Sequence, residues 1–519
     1  MQRRHWRKPV ALAMAAALAL VACGGDDDDD GGGATAAPDV TDAAPATDAG
    51  ADTTDEATGD TATGDTATDD TASDDTATDD TATDGTAGGG GSGEYGLIDG
   101  IYQGAGDFSI DPADCPEDWD PQQGITDDEI KLFISLPKAG PFAGFGLIAD
   151  GIQSYFDHVE ETEGGVDGRK VTLDVKDDGY LPDKTKTNVD EALGSGEYAA
   201  LMAVLGTANN LAVWDDVNDE CMPQLYNATG APNWGDVENH PWTTGMQIDY
   251  FTEASLWAQW LETEHPDAKT VAAVAFNNDF GKSYVDGFER SIEGTELEVV
   301  EQQFHEPTAP DLTNQFTTMA ASNADVVLVE TSGTFCTQAM AELEKNTSWD
   351  PIVIISGTCG SLSQFFKPLI DQGLTGEGVH LIQYTKDVND VAFADDEFVQ
   401  LFHETLKAQG LDDTQTTYAT GWLFAWYMHQ VLKDAAQYEG GLDRANIMLA
   451  ARNQDVQNPL ILDGIKQQIV GFEDAYLNEG GRMAVYEVED PAQLGTFVPA
   501  GDIIDNNGGI GTFSDISGG

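Results

Sequence analysis

From about Ile125 onward, apolar runs of five to seven residues alternate with longer segments whose apolar positions fall three and four apart. The first pattern marks buried strands and the second amphipathic helices. It predicts strands over EIKLFISL (129–136), KVTLDVKD (170–177), YAALMAVLG (198–206) and PQLYN (223–227). Between them it predicts helices over FGLIADGIQSYFDHVEE (145–161), PDKTKTNVDEAL (182–193) and a segment from about Ala208. After Thr243 the series restarts with helix YFTEASLWAQWLETE and strand TVAAVAFN, then KSYVDGFERSI, ELEVVEQQF, LTNQFTTMAAS, ADVVLVET, FCTQAMAELEK and IVIIS in alternation. Strand–helix alternation with β-branched runs implies parallel sheets covered on both faces. About 390 residues exceed one comfortable core, so two α/β lobes are expected. Two long helices follow, over 395–410 and 416–436. The second is rich in aromatics, but Tyr418, Thr420, His429, Gln430, Lys433 and Asp434 interrupt it, so it reads as a core helix rather than a membrane span.

The first hundred residues carry a different pattern. Arg3, Arg4, Arg7 and Lys8 precede an apolar run, Pro9–Ala22, too short to span a bilayer and suited to a signal peptide. Leu20-Val21-Ala22-Cys23 resembles the lipobox of bacterial lipoproteins. That resemblance implies cleavage after residue 22, lipidation of Cys23 and an anchor on the outer face of the cytoplasmic membrane; an ordinary secretory signal is the alternative. Residues 23–105 then repeat Thr, Ala, Asp and Gly, with few groups that pack. The expectation is a disordered, self-repelling tether of roughly 50 Å end to end. Asp26–Asp30 lack the ordered geometry of a calcium loop, and no metal site is expected.

The formal net charge is −70, and no Lys or Arg stands between Lys8 and Lys131. Such a chain is a poor binder of phosphate backbones, which excludes a nucleic-acid role. With Cys23 spent on lipid, four cysteines remain, which allow three pairings. Cys336 and Cys359 each follow a buried strand, and adjacent parallel strands would bring them together. Cys336–Cys359 with Cys115–Cys221 is therefore favoured. Zinc is the competing reading, weakened by the lack of a C-x-x-C pair.

From about Ile125 to the C-terminus the chain resembles the substrate-binding proteins of branched-chain amino-acid-type ABC transporters, the type I periplasmic-binding fold. SLPKAGPFAGFGLIADGIQSYFD is similar to the family's opening strand, Gly-Pro turn and first helix. GGVDGRKVTLDVKDDGYLPDKT, AVLGTANN, PQLYNATGAP and VAFNNDFGKSYVDGF resemble later landmarks in the family's order. The resemblance implies two doubly wound parallel-sheet lobes joined by a three-crossover hinge. Lobe 1 would comprise 125–247 and 385–480, lobe 2 would comprise 248–384 and 481–505, and 506–519 would form a loose tail.

In such sheets ligands bind beyond the carboxyl ends of the strands. Three junctions there are rich in Gly, Ser and Thr: Gly206-Thr207-Ala208-Asn209-Asn210, Thr331-Ser332-Gly333-Thr334 and Ser356-Gly357-Thr358-Cys359-Gly360. By resemblance, the first of these, with Ala228, Thr229 and Gly230, would hold a ligand carboxylate. Phe142 and Phe145 would lie near the ligand, and Phe280 would form a wall from the second lobe. The same Gly, Ser and Thr also serve as ordinary turn and cap residues. Amino-acid binders of the family place an acid in the second lobe to meet the ammonium. Here Thr358 stands at that position, with Glu330, Asp249 or Asp279 as possible substitutes. An amide, a urea-like compound or an aromatic acid is thus allowed beside an amino acid. The expected function is capture of a small molecule and its delivery to an ABC permease, without catalysis or cofactor. A receptor for a signalling partner and an extracellular enzyme are the alternatives; no G-x-S-x-G or H-E-x-x-H motif supports the latter.

Overall fold

The computed structural model describes residues 95–517. The leader, Cys23 and the tether to residue 94 lie outside the described residues, as do 518–519. Two separate sheets organise the chain. The first joins β1 (Glu129–Leu136), β2 (Lys170–Asp177), β3 (Ala200–Met202), β4 (Gln224–Asn227) and β5 (Thr243–Gly245), all parallel, in the order β2-β1-β3-β4-β5. The second contains β6 (Thr270–Phe276), β7 (Glu298–His305), β8 (Val326–Glu330), β9 (Ile352–Ile355), β10 (Val379–Gln383), β11 (Gly480–Glu487) and β12 (Thr496–Pro499). Its order is β7-β6-β8-β9-β10-β11-β12, parallel as far as β10 and antiparallel beyond.

Helices α1 (Leu147–Glu163) and α2 (Pro182–Ser195) flank the first sheet. Helices α3 (Tyr250–Glu264), α4 (Asp279–Ser291), α5 (Thr313–Ser322) and α6 (Thr334–Lys345) cover the second. The chain leaves the first sheet after β5 and enters the second lobe at α3. After β10 it returns to build α7 (Glu397–Gln409) and α8 (Thr416–Ala435), which pack on α1. It crosses again to supply β11. Helix α8 is apolar on nearly every side because it is buried between α1 and Arg444–Ala451, with Trp422, Tyr427 and Met428 fully enclosed. Among the described residues no helix is long and apolar enough to cross a membrane.

The pattern breaks down in three places. Residues 95–105, expected within the tether, carry two short strands, Gly96–Ile98 and Ile101–Gln103. Tyr102 is buried there and donates its hydroxyl to Asp443 at 2.7 Å, and the Leu97 amide bonds the Glu439 carbonyl. These partners lie more than three hundred residues away, so local composition carries no sign of them. The expected strand over 198–206 shrinks to Ala200–Met202, because Ala203 and Gly206 take positive φ values of 52° and 99°. The tail is also built in. The Glu479 carboxylate accepts the Gly509 and Ile510 amides, Ala475 donates to Gly511, and Arg290 donates to the Ile516 carbonyl.

All four described cysteines are in disulfides, Cys115–Cys221 and Cys336–Cys359, with Cα separations of 5.7 and 5.5 Å. None is left as a zinc ligand.

Candidate functional site

The parallel strands of both sheets point their carboxyl ends at one shared cleft. A cavity of about 160 Å³ lies there, walled by both lobes and by the segments that connect them. From the first lobe come Phe145 in the turn before α1, Ile148 at the start of α1, Tyr180 after β2, Gly206 after β3 and Ala228–Thr229 after β4. Helix α8 adds Thr416, Ala419, Thr420, Leu423 and Phe424. The second lobe contributes Tyr250, Phe280, Ser332 and the turn Gly357–Ser361. Leu205, Met246, Gln247, the run Leu381–Asp387, Leu460 and Phe497 complete the wall. Most of this lining is aromatic or aliphatic.

Nine residues singled out in the sequence line the cavity: Phe145, Gly206, Ala228, Thr229, Phe280, Ser332, Gly357, Thr358 and Gly360. Others stand beside or behind the wall. Phe142 is buried beside it, stacked on Tyr180 at 3.9 Å. Thr207 sits behind Thr229, its hydroxyl 2.6 Å from the Thr229 hydroxyl. Ala208 and Asn209 belong to the short helix Thr207–Leu211, where Asn209 donates to Thr185 at 2.7 Å. Thr331 supports the wall from below. Its carbonyl accepts the Ser356 and Thr358 hydroxyls, and its own hydroxyl meets His305 at 2.9 Å. The Cys336–Cys359 bond ties the same turn to α6.

None of the three acids offered as partners for an ammonium lines the cavity. Asp249 caps α3 by accepting the Phe251 and Thr252 amides. Glu330 is buried with no hydrogen-bond partner, and burial holds its carboxyl well above the usual range. Asp279 occupies the first turn of α4. The charges that do reach the wall are already engaged. Lys386 pairs with Asp396 at 2.7 Å. Asp387 accepts the Leu362 and Asn389 amides and the Thr416 hydroxyl, and burial pushes its carboxyl up to about 6.

Tyr180, Tyr250, Tyr384 and Asp387 were not singled out in the sequence. Tyr180 stands three residues past the end of β2, so the strand-end rule reaches it. Tyr384 and Asp387 follow β10 on the way back to the first lobe, where no periodicity marks them.

Glu253 on α3 lies just behind the turn. It accepts the Gly357 amide at 2.6 Å and the Tyr284 hydroxyl at 2.7 Å. Burial pushes its carboxyl up to about 7, against these two hydrogen bonds. The folded state therefore keeps a proton that the unfolded chain releases near its ordinary value of 4.5. Stability falls as pH rises through that window and stays lower above it. Relative to wild type, Glu253→Gln should gain about 3 kcal/mol of unfolding free energy between pH 4 and pH 8. Urea unfolding at both pH values checks this, and a pH-independent difference contradicts it.

Two doubly wound lobes with a cavity at their facing strand ends make a hinged binding protein. The chain matches the periplasmic binding protein family over residues 129–488 and belongs to that family. The family is extracytoplasmic, and its members bind solutes. Similar solved structures include the fatty acid ABC transporter substrate-binding protein from Thermomonospora curvata, at 19% identity and a TM-score of 0.63, covering 75% of this chain and 95% of that one. A branched chain amino acid ABC transporter protein from Thermus thermophilus with bound valine gives 16% and 0.63, covering 76% and 99%. A solute-binding protein from R. palustris in complex with 4-hydroxybenzoate gives 17% and 0.60, covering 73% and 97%. No curated protein matches the chain.

Proposed function

We propose that this chain is the solute-binding lipoprotein of an ABC importer. It captures one small organic molecule between its lobes and presents the closed form to a membrane permease. The lipid on Cys23 and the acidic segment after it keep the lobes near that permease, which raises the effective concentration. The observation that carries the reading is the cavity itself, walled by both lobes, mainly apolar, with its Lys386 ion-paired and its Asp387 already hydrogen-bonded. An apolar cavity of roughly 150 Å³ holds a benzene ring. The favoured solute therefore has a ring or a branched aliphatic body. Its polar end meets the hydroxyl of Ser332 and the phenols of Tyr180 and Tyr384. With no unengaged acid on the wall, a carboxylic acid or amide suits the site better than an α-amino acid. The bound ligands of the relatives, valine and 4-hydroxybenzoate, span this choice.

A thermal-shift panel of benzoates, branched short-chain acids, their amides and free amino acids tests the reading. A true ligand at a hundredfold excess over its Kd stabilises by about 2.7 kcal/mol, a clear rise in Tm. A panel in which no compound raises the Tm contradicts it. The Ser332 side chain makes no hydrogen bond within the described residues, so Ser332→Ala should leave the free protein's Tm unchanged. With the panel's best compound, it should weaken binding by up to about tenfold in a calorimetric titration.

A further inference from the structure

The turn Gly140–Gly146 is a 3₁₀ helix, in which side chains at i and i+3 eclipse. Phe142 and Phe145 therefore leave the first lobe on the same side. Phe145 faces the cavity, but Phe142 goes past it and into the second lobe. It is 2% exposed. Phe276, at the end of β6, lies 5.9 Å away between ring centroids, and Phe335, in the first turn of α6, lies 6.4 Å away. Gly333 makes room for the ring. A Cβ there would stand 2.8 Å from it, and the residue's φ of +63° already favours glycine. Phe142 also stacks on Tyr180, which lines the cavity.

We propose that Phe142 is the closure latch of this protein, a positioning residue that acts on the solute through Tyr180 without touching it. The inference rests on the capture reading, in which the lobes part and close. When they part, the ring leaves the socket formed by Phe276, Gly333 and Phe335, and apolar surface returns to water. When they close, the ring regains that contact, so the closed state is favoured by an interaction remote from the solute. A solute that packs on Tyr180 supports the stack from the other side. Occupancy of the cavity and seating of the latch therefore reinforce one another.

Hydrogen–deuterium exchange on the full chain without added solute tests the latch. Phe142→Ala should raise exchange about tenfold in 140–146 and 331–337, a factor equal to about 1.4 kcal/mol. The core strands β1 and β8 should exchange as in wild type. Phe142→Leu, which keeps part of the apolar contact, should raise exchange in the same two segments by a smaller factor, and it carries the same test if the alanine variant does not fold. Exchange unchanged in those two segments, or raised equally in the core strands, overturns the proposal. This outcome is independent of the thermal-shift panel, so a failed latch and a failed capture reading are distinguishable.

Discussion

Gly421→Val should cost about 3 kcal/mol or more and remove solute binding along with stability. Helices α1 and α8 cross with their backbones in contact at two glycines. A Cβ on Gly421 would lie 2.3 Å from the Ile148 carbonyl oxygen, and one on Gly151 would lie 2.3 Å from that of Tyr418. A neighbouring side chain can rotate away from an intruding methyl group, whereas these carbonyls belong to helical backbone and move only if the helices separate. Each glycine costs its helix about 1 kcal/mol relative to alanine, which close packing must offset. Overpacking a core generally costs about 1–3 kcal/mol, and a rigid backbone target puts this site at the upper end. The same helices bring Ile148, Ala419, Thr420 and Leu423 to the cavity, so a displaced α8 also misplaces the wall. Soluble yield and the urea midpoint check this. A variant with the wild-type midpoint contradicts the crossing described here.

Removing the Cys115–Cys221 bond should have a comparable effect. It closes a sequence separation of 106 residues, for which chain entropy gives about 4–5 kcal/mol. It also fixes the segment before β1 against the first lobe. Trp119 donates its indole N–H to the Cys221 carbonyl at 3.0 Å, and the buried Arg444 donates to the same oxygen at 2.8 Å. The double variant Cys115→Ser/Cys221→Ser should lose about 4 kcal/mol in urea unfolding. The bond closing the shorter separation of 23 residues, Cys336–Cys359, contributes less by this argument. Its loss should act mainly on affinity, because it holds the cavity turn. Equal unfolding midpoints for wild type and the Cys115/Cys221 variant contradict the entropic account.

Much of the fold can be read locally because burial leaves a periodic trace. The strands at 129–136 and 170–177 and the helix at 250–264 coincide with the apolar patterns that predict them. The site is less legible. Phe142 and Phe145 are the same residue type three positions apart, and only the turn of the backbone and the place of Gly333 send one to the solute and the other across the cleft. Tyr384 and Asp387 reach the cavity from a connecting segment with no repeat of its own. Thr207 and Thr331 share the composition of the wall but stand one layer behind it. The tail reads as loose because it is rich in Gly and Asp, yet its backbone amides are held by Glu479, 30 residues away. Such long-range partners leave no mark on nearby sequence.

Enclosure of one small solute between the two lobes is tested by a calorimetric titration of the full chain with the best compound of the thermal-shift panel, repeated at several temperatures. The expected result is one site per chain and a negative heat-capacity change, because solute and cleft bury apolar surface together. Heats that do not saturate, or a saturable site whose heat-capacity change is near zero, would contradict it.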